Sequence, residues 1–136
     1  MNRHDLDRLV SEEVALNATR SGVRVAPPAA ARRVAARALR VRAGLPPSRR
    51  GGLSPAEAGR QGIGSGVKRA VDIAAGRDVD AGQVHAFCQR FAGKEREAER
   101  KGLTLEESKV RQAWDLWGGW PMCRAAEKAV RKSPRG

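Results

Sequence analysis

The chain has 136 residues and a formal net charge of +12, with 27 Lys and Arg against 15 Asp and Glu. That length suits one domain, and so basic a balance selects polyanionic partners, nucleic acid first. No stretch approaches the length of an apolar membrane span and the N-terminus has no apolar signal core, so a membrane partner is not expected and the chain is expected to be soluble and made without export.

Aromatic residues are 4% of the chain and Tyr is absent. With alanine used heavily and no apolar run of period two, the composition predicts an all-α fold on a small-residue core, without strands. Residues 3–20 read as a first helix, with Leu6, Leu9, Val10, Val14 and Ala18 on one face and Glu12 and Glu13 on the other. Between Glu13 and Glu57 there is no acidic residue, while Arg20, Arg24, Arg32, Arg33, Arg37, Arg40, Arg42, Arg49 and Arg50 all lie there. Pro27 and Pro28 suit a helix start, because their missing donors would be unpaired in a first turn. The helix that follows carries a predicted apolar stripe of Val34, Ala38, Val41 and Leu45. On another face Arg33, Arg37 and Arg40 stack at i, i+4 and i+7. Guanidinium groups so close repel one another unless an anion lies beside them, and a phosphate backbone would supply one. The alternative is a solvated basic face.

Gly44 is expected to stop this helix, and LPPSRRGG (45–52) to form a loop. Ser54 as cap and Pro55 at the first position open a short helical segment, broken by Gly59, Gly62, Gly64 and Gly66. The GIGSG run (62–66) lacks both the Lys-Ser/Thr ending and the preceding strand of a P-loop, and reads as a connection.

Residues 65–94 read as helix, tight turn, helix. Val67, Ala70, Val71 and Ala74 give the first segment an apolar face. Gly76 ends it, Val79 plugs the turn, and Asp80 caps the second helix. Val84, Phe87, Cys88 and Phe91 then repeat as a buried face, leaving Gln83, His85, Gln89 and Arg90 opposite. This is the outline of a helix-turn-helix, or of a plain structural hairpin. Cys88 and Cys123 have no metal-ligand spacing and are expected as buried, reduced thiols. The charged run 94–101 reads as a solvated helical extension ended by Gly102. Thr104 and Glu107 form a capping box that should open a helix through Val110, Ala113, Trp114 and Trp117. Gly118 and Gly119 end that helix, and Trp120-Pro121 begins a last one with Met122, Ala125, Ala126, Ala129 and Val130 on one side. The three tryptophans read as core; base stacking, the alternative, requires an exposed indole.

Four segments, LPPSRRGG (45–52), GVKRAVDIAAGRDV (66–79), QVHAFCQRF (83–91) and KVRQAWDLWGG (109–119), carry a resemblance. In their order and spacing, over residues 29–120, the chain resembles a small bacteriophage domain of unknown function, found alone or near phage structural and head-morphogenesis genes. Relatives tend to carry a histidine after the second aromatic, where this chain has Ala92-Gly93, and the 94–101 insert also departs from them. The resemblance implies phage origin and a place in the host cytoplasm or the virion, without secretion, and supplies no established activity.

The domain organisation expected is an N-terminal helix and linker (1–26), one helical domain (27–132) of five to six helices around the helix-turn-helix-like hairpin, and a loose basic tail (133–136). His4, His85 and the Asp72, Asp78, Asp80 group make no catalytic constellation, so no enzyme, metal or cofactor is expected. The leading expectation is a phage nucleic-acid-binding protein, with DNA favoured over RNA. Arg32, Arg33, Arg37, Arg40, Arg49, Arg50, Lys68, Arg69 and Arg77 would meet phosphates, and Gln83, Gln89 and Arg90 would meet bases. The alternative is a virion component, a head or connector protein touching packaged DNA or capsid.

Overall fold

The computed structural model describes residues 21–61 and 65–132; the helix expected over 3–20, the tail and part of the GIGSG run lie outside them. The fold is all-α, with six α-helices among the described residues. In chain order these are β1 (Arg24–Val25), α1 (Ala29–Gly44), a 3-10 turn (Pro47–Arg49), α2 (Pro55–Gln61), α3 (Gly66–Ala74), β2 (Val79–Asp80), α4 (Ala81–Arg100), α5 (Lys109–Leu116) and α6 (Gly119–Lys132).

Helix α1 packs antiparallel to α3 and to α5, and α4 packs antiparallel to α6. The short α5 touches all four, and its Trp114 and Leu116 fill the centre at 1% and 0% exposure. On α1 the buried line is Ala31, Ala35 and Ala38; of the expected stripe of Val34, Ala38, Val41 and Leu45 only Ala38 is buried. Methyl groups let neighbouring backbones approach closely, so the alanine line wins the core side, and Leu39 packs at its edge. A similar rotation holds on α3, where Gly66, Ala70 and Ile73 are buried and Val71 is turned out to 44% exposure.

The turn between α3 and α4 forms as the sequence suggests. Gly76 adopts φ 78°, the left-handed region that glycine enters at least cost, and Val79 is 1% exposed. Strands were not expected, but the turn also makes a minimal antiparallel pair, Arg24 with Asp80 and Val25 with Val79. Two residues a side are too few for a period-two signal. The pairing follows from Asp80, whose carboxylate accepts from the Gln83 amide at 3.0 Å and also from the Ser21 and Gly22 amides at 3.0 and 2.9 Å. Residues 21–25 are thereby tied across the start of α4, with Val23 O accepting from the Ala81 amide at 2.8 Å.

Helix α4 keeps its expected face and extends it. Glu95 and Ala98, inside the run read as solvated, are 1% and 5% exposed. Cys88 and Cys123, expected as reduced thiols, are joined in a disulfide between α4 and α6. Antiparallel packing brings together two cysteines 35 residues apart, which sequence spacing alone does not reveal. The Thr104–Glu107 box forms in both directions, at 3.0 and 3.3 Å, but closes a turn that tucks Leu105 inside. The next helix starts only at Lys109, where Ser108 accepts from the Arg111 amide. The α6 face is as expected, with Met122 and Ala126 fully buried.

Candidate nucleic-acid interface

The arginine-rich segment divides into groups with different surroundings. Arg33, Arg37 and Arg40 are all exposed and share the side of α1 opposite its alanine line. Among the described residues no ion pair engages them. Arg32 is exposed too but leans aside, its Cδ 3.5 Å from where a Cβ on Gly76 would stand. Arg37 reaches a polar cleft of about 360 Å³ shared with Arg111, Asp115 and the 102–106 loop.

Arg42 and Arg50 are drawn into the structure. Arg50 donates through Nε to the Arg42 and Leu45 carbonyls at 3.1 and 3.0 Å, and through Nη2 to Ala43 O at 3.3 Å. It thus satisfies the free carbonyls at the C-terminus of α1, where a cation also meets the negative end of the helix dipole. Arg42 donates to Gly51 O at 2.8 Å and lies 3.6 Å from Glu57. Burial pulls its pKa below the ordinary value, with Glu57 opposing that effect and Arg50 adding to it. The loop between them is pinned from α5: buried Gln112 accepts from the Gly51 amide at 2.6 Å and donates to Arg49 O at 3.2 Å. A Cβ on Gly51 would collide with the Lys109 backbone, so this approach requires glycine. Arg49 stays exposed, 3.5 Å from Glu106 O. Of the phosphate candidates, then, Arg50 does not stand with the ridge, because its donors are spent on the helix end.

The central hairpin contributes less than its sequence suggests. Lys68 is exposed, and Arg77 is exposed but pairs with Asp72 at 3.3 Å. Arg69 is half-buried, lying over the Trp117 ring at 5.2 Å and donating to Gln83 Oε1 at 2.9 Å. Gln83, expected on the open face, is 5% exposed. Gln89 and Arg90 are exposed further along α4. A recognition helix presents its N-terminal residues to base edges. Here Ala81, Gln83 and Val84 are buried and residues 21–25 cross them, so the first turn of α4 is covered.

Beside the ridge lies a carboxylate cluster of Glu95, Glu99 and Asp115, two of which, Glu95 and Glu99, belong to the 94–101 run expected in solvent. Glu95 Oε1 accepts from Arg111 Nε at 3.2 Å, while its buried Oε2 has no hydrogen-bond partner among the described residues. Burial pushes the Glu95 carboxyl up to about 7, with Arg111 opposing and Asp115 and Glu99 adding to the rise. Burial likewise pushes Asp115 up to about 6, opposed by Arg111 and Arg37. The signal for Glu95 was present: it falls four residues after Phe91, on the line that runs from Val84 to Ala98. Among the described residues no group of His, Cys, Asp and Glu is arranged to hold a metal ion, and no helix is long and apolar enough to cross a membrane.

No family model, curated protein or solved structure matches this chain.

Proposed function

We propose that this chain is a nucleic-acid-binding protein that grips the phosphate backbone with a guanidinium ridge on α1, formed by Arg33, Arg37 and Arg40 and flanked by Arg32 and Arg49. The observation that carries the reading is the placement of the ridge. Three arginines stand on one side of a rigid helix, turned from its buried line, with no ion pair to any of them among the described residues. Their mutual repulsion works against the helix and is relieved by an anion with regularly spaced charges. Ridge contacts of this kind position a duplex and read no sequence. Such a protein fits the phage setting that the resemblance implies.

The test is salt dependence on duplex DNA. Each neutralised phosphate adds about −0.9 to the slope of log K against log salt. Changing Arg33, Arg37 and Arg40 together to Gln is expected to flatten the slope by about 3, equally on different sequences. A triple variant that binds like the parent at every salt concentration would overturn the reading.

A second reading, a virion component contacting packaged DNA or capsid, is favoured by the Cys88–Cys123 disulfide. Such bonds persist in oxidising surroundings and are rare in the cytosol, and particles spend time outside the cell. Mass spectrometry of purified virions separates the two: a fixed copy number supports the component, and absence rejects it.

A further inference from the structure

Three of the aromatic residues, Phe91, Phe87 and Trp117, form a column, with Trp114 beside Phe87 at 6.0 Å. The Phe87 ring lies between two others, 4.5 Å from Phe91 at 20° and 4.4 Å from Trp117 at 7°. Both ends carry a cation: Arg69 over Trp117 at 5.2 Å and Lys94 over Phe91 at 4.9 Å. The two ends differ. Arg69 is half-buried and anchored on Gln83, so that end is closed. Lys94 is exposed, and no ion pair engages it among the described residues. With Phe87 on the inner face of Phe91, the outer face of that ring is the one the Lys94 ammonium covers.

Lys94, which lies over the Phe91 ring, also lines a groove of about 400 Å³. Ala98, Leu103 and Val110 give it an apolar floor, and Lys94 and Lys101 stand on its rim. The acidic rim residue, Glu97, is engaged by Arg100 and Lys101. At the mouth is Gly93, in the middle of α4. A glycine there weakens a helix, and no packing requires it, since a Cβ at Gly93 would meet nothing within 4 Å. Its effect is to leave the groove mouth bare.

We infer that the outer face of Phe91 and the adjoining groove take an unstacked nucleobase of a single-stranded nucleic acid, with Lys94, Lys101 and the exposed Arg90 meeting the flanking phosphates. This rests on the nucleic-acid reading above and narrows its ligand. The ring offers a flat surface parallel to a rigid stack, the rim offers cations, and an exposed lysine over an aromatic is held weakly enough to be displaced. Bases within a duplex already have both faces stacked, so the site discriminates for single strands. Stacking one base on an aromatic side chain is worth roughly 5- to 150-fold in affinity.

The experiment measures binding of a short oligo(dA) strand and of its duplex with oligo(dT), by fluorescence anisotropy at one salt concentration. The variants are Phe91→Leu, Gly93→Gln and the α1 triple arginine change. Phe91→Leu keeps an apolar side chain and removes the flat ring; it is expected to weaken single-strand binding by roughly 5-fold or more and leave duplex binding unchanged. Because Phe91 also packs on the core, Gly93→Gln serves as the second probe. It is expected to raise the melting temperature, by replacing a mid-helix glycine, while weakening single-strand binding by obstructing the groove mouth. The arginine triple is expected to weaken both ligands. If both Phe91→Leu and Gly93→Gln bind the single strand like the parent while the triple does not, the base site is refuted and the ridge stands. If the parent binds neither ligand, both readings fall.

Discussion

Replacing Glu95 with Gln should make the protein more stable at neutral pH and reduce its pH dependence. The Glu95 side chain is 2% exposed, has one oxygen 3.2 Å from Arg111 Nε and has the other buried without a partner among the described residues. Its folded pKa is about 7 against an ordinary 4.5, raised by burial first and by Asp115 and Glu99 in addition, against the pull of Arg111. The folded state therefore holds a proton that the unfolded chain releases. The stabilisation is complete below pH 4.5 and is lost as pH rises through 7, and the gap amounts to about 3 kcal/mol. Asp115, raised to about 6, acts with the same sign. Gln has the same shape, keeps an acceptor for Arg111 and has no charge to bury. Denaturant melts of the parent between about pH 4.5 and pH 8 should lose stability on that order, while Glu95→Gln retains only the smaller slope from Asp115. A flat parent profile, or a Gln variant less stable than the parent at the alkaline end, would refute the argument. The second result would mean that the Arg111 pair contributes more than the burial of the charge costs.

Two further outcomes follow from the contacts. Changing Cys88 and Cys123 together to Ser should cost about 4 kcal/mol, the chain-entropy value for a loop closed over 35 residues, and reductant should reproduce that loss in the parent alone; a shift below about 1 kcal/mol would mean that the crosslink does little. Asp80→Ala removes the acceptor for the Ser21, Gly22 and Gln83 amides and should cost about 2–4 kcal/mol. Hydrogen exchange should then show those amides losing protection together, and unchanged protection would show that water replaces the carboxylate at no cost.

Local signals in the sequence were sufficient for the order of the helices and for most of their ends. Gly76, Gly102, Asp80 and the Ser54 cap, whose Oγ accepts from the Glu57 amide at 3.2 Å, act within one turn of chain, so their chemistry is visible without the fold. Which side of a helix faces inward was less legible. On α1 and α3 the larger valines suggested the core, whereas the structure buries alanine, glycine and Ile73, because the distance between backbones decides and no sequence window contains it. The candidate site divided along the same line. The spacing of Arg33, Arg37 and Arg40 was readable and places them together. The burial of Gln83 was not, because it depends on Arg69 and Trp117 from other elements. The disulfide and the Gln112 bridge to the 49–51 backbone span 35 to 63 residues and had no local trace. Glu95 alone could have been caught, since its position continues a stripe already recognised.

The division among the arginines is what gives the ridge its meaning. Nine arginines lie between Glu13 and Glu57, and an arginine-rich composition alone would scatter them around the elements they occupy. On α1 the buried residues stand at 31, 35 and 38, and the ridge stands at 33, 37 and 40, the same spacing moved by two residues. A shift of two is about 200° around an α-helix, so each arginine points from its buried counterpart toward solvent. While Arg24 and Arg49 each reach a single carbonyl, Arg42 and Arg50 are drawn onto several backbone carbonyls at the end of α1 and in the loop after it. Removing them would unpin the end of α1 and lower any affinity through the fold. The triple substitution carries less of that ambiguity, because no hydrogen bond or ion pair among the described residues is lost with Arg33, Arg37 or Arg40, and the attraction of Arg37 for Asp115 is what goes with them. A loss of binding by that variant, at unchanged stability, therefore reports on the partner's charge rather than on the helix that presents the ridge.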